Sequence, residues 1–168
     1  MNKIITSSVK MDNGNVDFSW YPGIIMEGVK LRNIYGFCVN KNNKVALVRD
    51  KGETRFTLPG GGVQEGESGI EALNREFIEE VQFYPQNIKL LGSLEVVRTD
   101  PSGNIIDHQQ QARFVCSIDK PGKFIPEKDG WETVERIFVS VEDLSKYLEW
   151  IAYSTGKAIY DEFLKNLR

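Results

Sequence analysis

Arg75, Glu76, Glu79 and Glu80 crowd one charged stretch of the chain, and their spacing could do chemistry. On a helix each residue advances about 100° around the axis. With Glu76 at the origin, Glu79 then falls near about −60° and Glu80 near about +40°. The three carboxylates share one narrow stripe, and Arg75 sits at its edge. Like charges three or four residues apart cost a helix roughly 0.2–0.5 kcal/mol per pair. Arg75 offsets part of this repulsion, and a divalent cation is the best candidate for the rest. Hard oxygen donors suit Mg²⁺ or Mn²⁺, and Mg²⁺ is commonly held by carboxylates together with a substrate phosphate.

The elements that must position these groups are also legible. Ile70, Leu73, Phe77 and Val81 fall on an adjoining stripe that is expected to face the core. The carboxylates therefore border the buried face, at the wall of a cleft. Ser68 followed by Glu71 fits a capping box at the helix start. Upstream, Pro59 precedes Gly60, Gly61 and Gly62, whose backbone can approach a ligand closely. A glycine turn feeding a helix N-terminus is suited to a substrate phosphate, with Gly61 and Gly62 the expected contacts.

Residues 61–83 resemble the Nudix box, the signature G-x5-E-x7-R-E-U-x-E-E-x-G-U in which U is a bulky apolar residue. Gly61, Glu67, Arg75, Glu76, Glu79 and Glu80 fall in register, with Phe77 and Phe83 at apolar positions. A looser likeness extends over about two-thirds of the chain. The resemblance implies an α/β/α sandwich with a mixed β-sheet between helices, and metal-dependent hydrolysis of a phosphoanhydride. It implies that Glu76, Glu79 and Glu80, with the Gly60 carbonyl, ligate the metal. It implies that Arg75 orients a box glutamate, and that Glu67 is structural or metal-linked. The general base is a box glutamate in some relatives and a loop acid in others. Glu132 is the best loop candidate here, ahead of Glu127 and Asp129. One position departs from the pattern: Gln82 replaces the final glycine. Either Gln82 adopts a left-handed conformation at roughly 1 kcal/mol, or the helix runs on towards Pro85.

The whole chain frames these residues. Its 168 residues are enough for one domain with a real core. A net charge of −3 argues against a long nucleic-acid partner while leaving a small nucleotide open. No apolar run approaches a membrane span. The N-terminus lacks a signal-peptide pattern, and Cys38 and Cys116 sit in strand-like apolar runs, so a reducing cytoplasm is expected. Strands are expected over 33–39, 44–48, 55–58, 88–98, 105–118 and 133–139. Helices are expected over 68–82, 141–148 and 154–167. Residues 1–30 are expected to add strands or an arm. Ile159, Phe163 and Leu167 pattern the last helix for the core first and for a dimer face second, so monomer and homodimer both stand.

Several residues carry two readings. Trp20, Tyr21 and Trp131 either stack on a base or pack. Arg49, Arg55, Arg98 and Arg113 either meet phosphate or form salt bridges. His108, the one histidine, is either hairpin surface or a substrate contact. Three functional readings follow: a pyrophosphohydrolase of a nucleoside diphosphate linked to another moiety, with triphosphates favoured; a nucleotide-binding module with little turnover; or a structural cation site. Metal-dependent turnover marks the first. Binding without turnover marks the second, and stabilisation by any divalent ion without a nucleotide effect marks the third.

Overall fold

The computed structural model describes residues 3–126 and 133–167. Among the described residues, eight strands form one mixed sheet: β1 (Ile5–Met11), β2 (Gly14–Pro22), β3 (Lys30–Asn40), β4 (Lys44–Asp50), β5 (Gly60–Gly62), β6 (Gln86–Thr99), β7 (Ile105–Ile118) and β8 (Thr133–Ser140). Their spatial order is β1-β2-β6-β7-β3-β4-β8, with β5 added to β3. The β3–β7 pair is parallel and the others are antiparallel.

The period-two alternation of β3 explains the layering. Ile34 and Cys38 face one core, which holds Ala72, Leu73, Phe77 and Val81 of the acidic helix. Phe37 and its neighbour Tyr35 face the other, which holds Ile159 and Phe163 of the last helix, α3 (Ser154–Lys165). The Phe37 and Phe163 rings stack at 4.2 Å between centroids. The helix pattern of Ile159 and Phe163 thus serves the core. The sheet lies between helices, as the α/β/α expectation requires.

Four local expectations are corrected. Residues 55–58 form no ladder; Thr57 exchanges backbone hydrogen bonds with Val48 alone, and Pro59 has no N–H to continue. The helix over 68–82 is two pieces: α1 (Gly69–Glu76), then a π-helical turn Phe77–Val81. Ile70 is 50% exposed, because Gly69 and Ala72 occupy the inward positions of the first turn. Residues 141–148 split into a 3₁₀ turn (Val141–Asp143) and the short α2 (Leu144–Tyr147). Residues near the N-terminus form strands: the β1–β2 hairpin docks on β6 and extends the sheet.

Candidate active site

The acidic helix begins where its sequence says it should. Ser68 Oγ accepts from the Glu71 N–H at 3.2 Å, and the Ser68 N–H donates to Glu71 Oε2 at 2.8 Å. This closed capping box fixes the first turn. The helix then widens into the π turn that carries Glu79 and Glu80, a local form common at functional sites.

Arg75 is the hub. Its Nε and Nη2 each donate to Glu67 at 2.9 Å, a bidentate pair. Nη1 donates to Glu76 Oε1 at 2.7 Å and, more weakly, to Glu79 Oε2 at 3.4 Å. Nη2 also reaches the Gly62 carbonyl at 2.8 Å, tying the helix to the glycine turn. Glu80 Oε2 accepts from the Gly60 N–H at 2.7 Å. Glu67 Oε2 accepts from the Gln64 N–H at 2.9 Å.

The glycines are required by contact. Gly60 has φ +147°, and a Cβ there would strike the Ile34 carbonyl and Tyr35 Cα. A Cβ on Gly61 would collide with the Glu76 carboxylate. The turn therefore lies directly against the acidic face. The pKa directions follow from this packing. Burial pushes the Glu76 carboxyl above its usual value, against the pull of Arg75. Hydrogen bonds from Arg75 and the Gln64 N–H hold Glu67 below its usual value. The Glu67 pair in turn pushes the Arg75 guanidinium up.

Thus Gly60, Gly61, Gly62, Glu67, Arg75, Glu76, Glu79 and Glu80 converge, while Glu127, Asp129, Trp131 and Glu132 lie outside the described residues. Among the described residues, no three acidic, histidine or cysteine groups already form a finished cation cage. The donor chemistry nonetheless fits a hard divalent ion: Glu67, Glu76, Glu79 and Glu80 outnumber the Arg75 guanidinium, and all are oxygen donors.

The remaining candidates separate. Trp20 is buried in the core. Arg49, Arg55 and Arg98 pair with Glu135, Glu149 and Asp107. Arg113 pairs with no acid among the described residues and is buried. Tyr21 and His108 meet at Glu95: the phenol donates at 3.1 Å and the imidazole Nε2 lies 2.8 Å away. Residues 21, 95 and 108 come from three strands, so no local spacing could have brought them together. Cys38 and Cys116 are buried free thiols paired across β3 and β7. Burial, and then Cys38, pushes the Cys116 thiol well up.

Comparison with known proteins decides the family. The NUDIX domain model matches residues 30–163. The chain belongs to the Nudix family of pyrophosphohydrolases. RNA pyrophosphohydrolase of Francisella tularensis subsp. mediasiatica is 29% identical over 119 residues, covering 61% of this chain and 76% of that protein. The protein of the same name from Psychrobacter sp. is 30% identical over 118 residues, covering 61% and 68%. Among Nudix-type folds of known structure, the Bacillus subtilis pyrophosphohydrolase BsRppH superposes with a TM-score of 0.68 at 17% identity, covering 90% of this chain and 92% of that one. A C. elegans Ap4A hydrolase superposes at 0.60 with 16% identity, covering 82% and 97%. The family generally uses divalent metal ions and acts on nucleotide substrates. No helix among the described residues is long and apolar enough to cross a membrane.

Proposed function

We propose that this Nudix chain hydrolyses, with Mg²⁺ or Mn²⁺, the phosphoanhydride of a nucleoside diphosphate linked to another moiety, with nucleoside triphosphates the favoured class. The observation that carries this reading is the acidic cluster around Arg75 pressed against a turn that only glycine can form. Glu76, Glu79, Glu80 and the Gly60 carbonyl would hold the ion. A bound divalent ion neutralises charge on the phosphate oxygens and lowers the pKa of water. Arg75 keeps Glu76 and Glu79 on one side of the cleft and, through Glu67 and Gly62, locks the helix to the turn. Gly61 and Gly62 let the backbone approach the substrate phosphates. Glu132 is the candidate that accepts the proton from the attacking water. We place the enzyme in the cytoplasm, as a monomer or homodimer.

A hydrolysis screen in Mg²⁺ or Mn²⁺ tests this. It should include nucleoside triphosphates, ADP-ribose, a sugar nucleotide, a dinucleoside polyphosphate and a 5′-triphosphorylated RNA, since relatives carry the name RNA pyrophosphohydrolase. Turnover should require metal and fall at least about a hundredfold in Glu79→Gln and Glu80→Gln. Nucleotide binding with no turnover on any of these substrates would instead support the binding-module reading.

A further inference from the structure

Arg136 is a half-buried cation at the end of the acidic helix, outside the network centred on Arg75. It stands on β8 in register with Val48 of β4, on the sheet face whose core holds Phe77 and Val81. Its guanidinium donates through Nη1 to the Val81 carbonyl and through Nη2 to the Gly122 carbonyl. The rings of Phe83, Phe124 and Phe138 surround it, with centroids 5.8, 5.4 and 5.6 Å from Cζ. No carboxylate pairs with it among the described residues. Burial holds its pKa below the usual value.

An apolar side chain would fill a ring-lined space more cheaply, since withdrawing a guanidinium from water without a counter-charge is unfavourable. What the arginine adds is its pair of N–H bonds to backbone. One of them lands on the carbonyl that closes the π turn. The last carbonyls of a helix have no partner inside it, and the dipole at that end favours a cation.

Glu80 and Val81 are consecutive and are tied by different elements. The Glu80 carboxylate accepts from the Gly60 N–H, while the Val81 carbonyl accepts from Arg136. Both anchors belong to one frame. Val48, the register partner of Arg136, exchanges backbone hydrogen bonds with Thr57, shortly before Gly60. The turn Phe77–Val81 has left the α-helical bonding pattern, so these outside ties set where Glu79 and Glu80 point.

We propose that Arg136 is a positioning residue for Glu79 and Glu80: by holding the Val81 carbonyl it fixes the π turn and keeps both carboxylates at the cleft. The inference rests on the cation site proposed above for its metal readout. Hydrogen exchange in the metal-free protein tests it separately.

The experiment compares Arg136→Met with Gln82→Gly in the whole protein. Gln82→Gly loses the Ile125 bonds at the same junction but keeps the bond from Arg136 to Val81. Without metal, amide hydrogen exchange over residues 77–81 should speed up at least about tenfold in Arg136→Met and stay within about threefold of wild type in Gln82→Gly. Mn²⁺ affinity, read by electron paramagnetic resonance, should fall at least about tenfold in Arg136→Met and stay within about threefold in Gln82→Gly. Arg136→Lys serves if the methionine variant does not fold. It keeps the charge but cannot span both carbonyls, and it should lose at least about threefold in Mn²⁺ affinity. Unchanged exchange or unchanged Mn²⁺ affinity in the arginine variants, or equal Mn²⁺ losses in Arg136→Met and Gln82→Gly, would overturn the proposal. If the wild-type protein binds no Mn²⁺, the cation-site reading fails, while faster exchange in Arg136→Met still sustains the hold of Arg136 on the π turn.

Discussion

Gln82 takes the left-handed conformation, φ 57° and ψ 41°, at the position where the box pattern has glycine. A non-glycine residue there carries roughly 1–2 kcal/mol of strain. Its side chain offsets this. Nε2 donates to the Ile125 carbonyl at 2.7 Å, and Oε1 accepts from the Ile125 N–H at 3.0 Å. The amide acts as a backbone surrogate that fastens the 119–126 segment to the end of the acidic helix. Arg136 reinforces the junction by donating to the carbonyls of Val81 and Gly122. Gln82→Ala keeps the strain and loses both bonds, so we expect about 1–2 kcal/mol of destabilisation in urea unfolding. Gln82→Gly relieves the strain while losing the same bonds and should destabilise by about 1 kcal/mol less. A glycine variant less stable than the alanine variant would show that strain is not the balancing quantity.

At the scale of elements, the acidic helix and its glycine turn act as one unit. Arg75 bonds the Gly62 carbonyl, Glu80 takes the Gly60 N–H, and Gly61 leaves room for the Glu76 carboxylate. Gly61→Ala should push Glu76 aside while leaving the two cores untouched. Nucleotide hydrolysis should fall by about tenfold or more, since small misplacements at a reacting centre are expensive. The melting temperature should move far less than for Gly60→Ala, whose Cβ meets backbone on β3. Equal losses of stability in the two variants would refute that division. Much of this unit is legible in the sequence because its signals are local: the capping box, the glycines and the i, i+3, i+4 spacing of Glu76, Glu79 and Glu80. The π turn is not, since a wheel drawn at a constant 100° assumes the hydrogen bonding that the turn abandons. Ile70 departs from the wheel for a related reason: in the first turn the small residues Gly69 and Ala72 take the inward positions.

Across the whole molecule, what the sequence hides is long-range pairing. Strands β3 and β7 are visible from their apolar runs, yet nothing local shows that they pair in parallel with Tyr35 opposite Arg113. From sequence the first thirty residues fit strands or an arm equally, because β6, the partner of the β1–β2 hairpin, is more than sixty residues away. The isolation of Arg113 could not be seen either, since its burial depends on that hairpin and α3 closing over the same sheet face. We propose that hairpin, sheet and helices form one folding unit, because Trp20 shares a core with Phe37 and Phe163. Calorimetry should then show one cooperative transition, with calorimetric and van't Hoff enthalpies equal. Two resolved transitions would separate the hairpin from the rest.

The most direct measurement is a Mn²⁺ titration followed by electron paramagnetic resonance, with a non-hydrolysable nucleotide present. We expect saturable binding in the wild-type protein that is at least about tenfold weaker in Glu76→Gln and in Glu79→Gln. Binding that is unchanged in both variants, or absent from the wild-type complex, would contradict the assignment of the acidic helix face as the cation site.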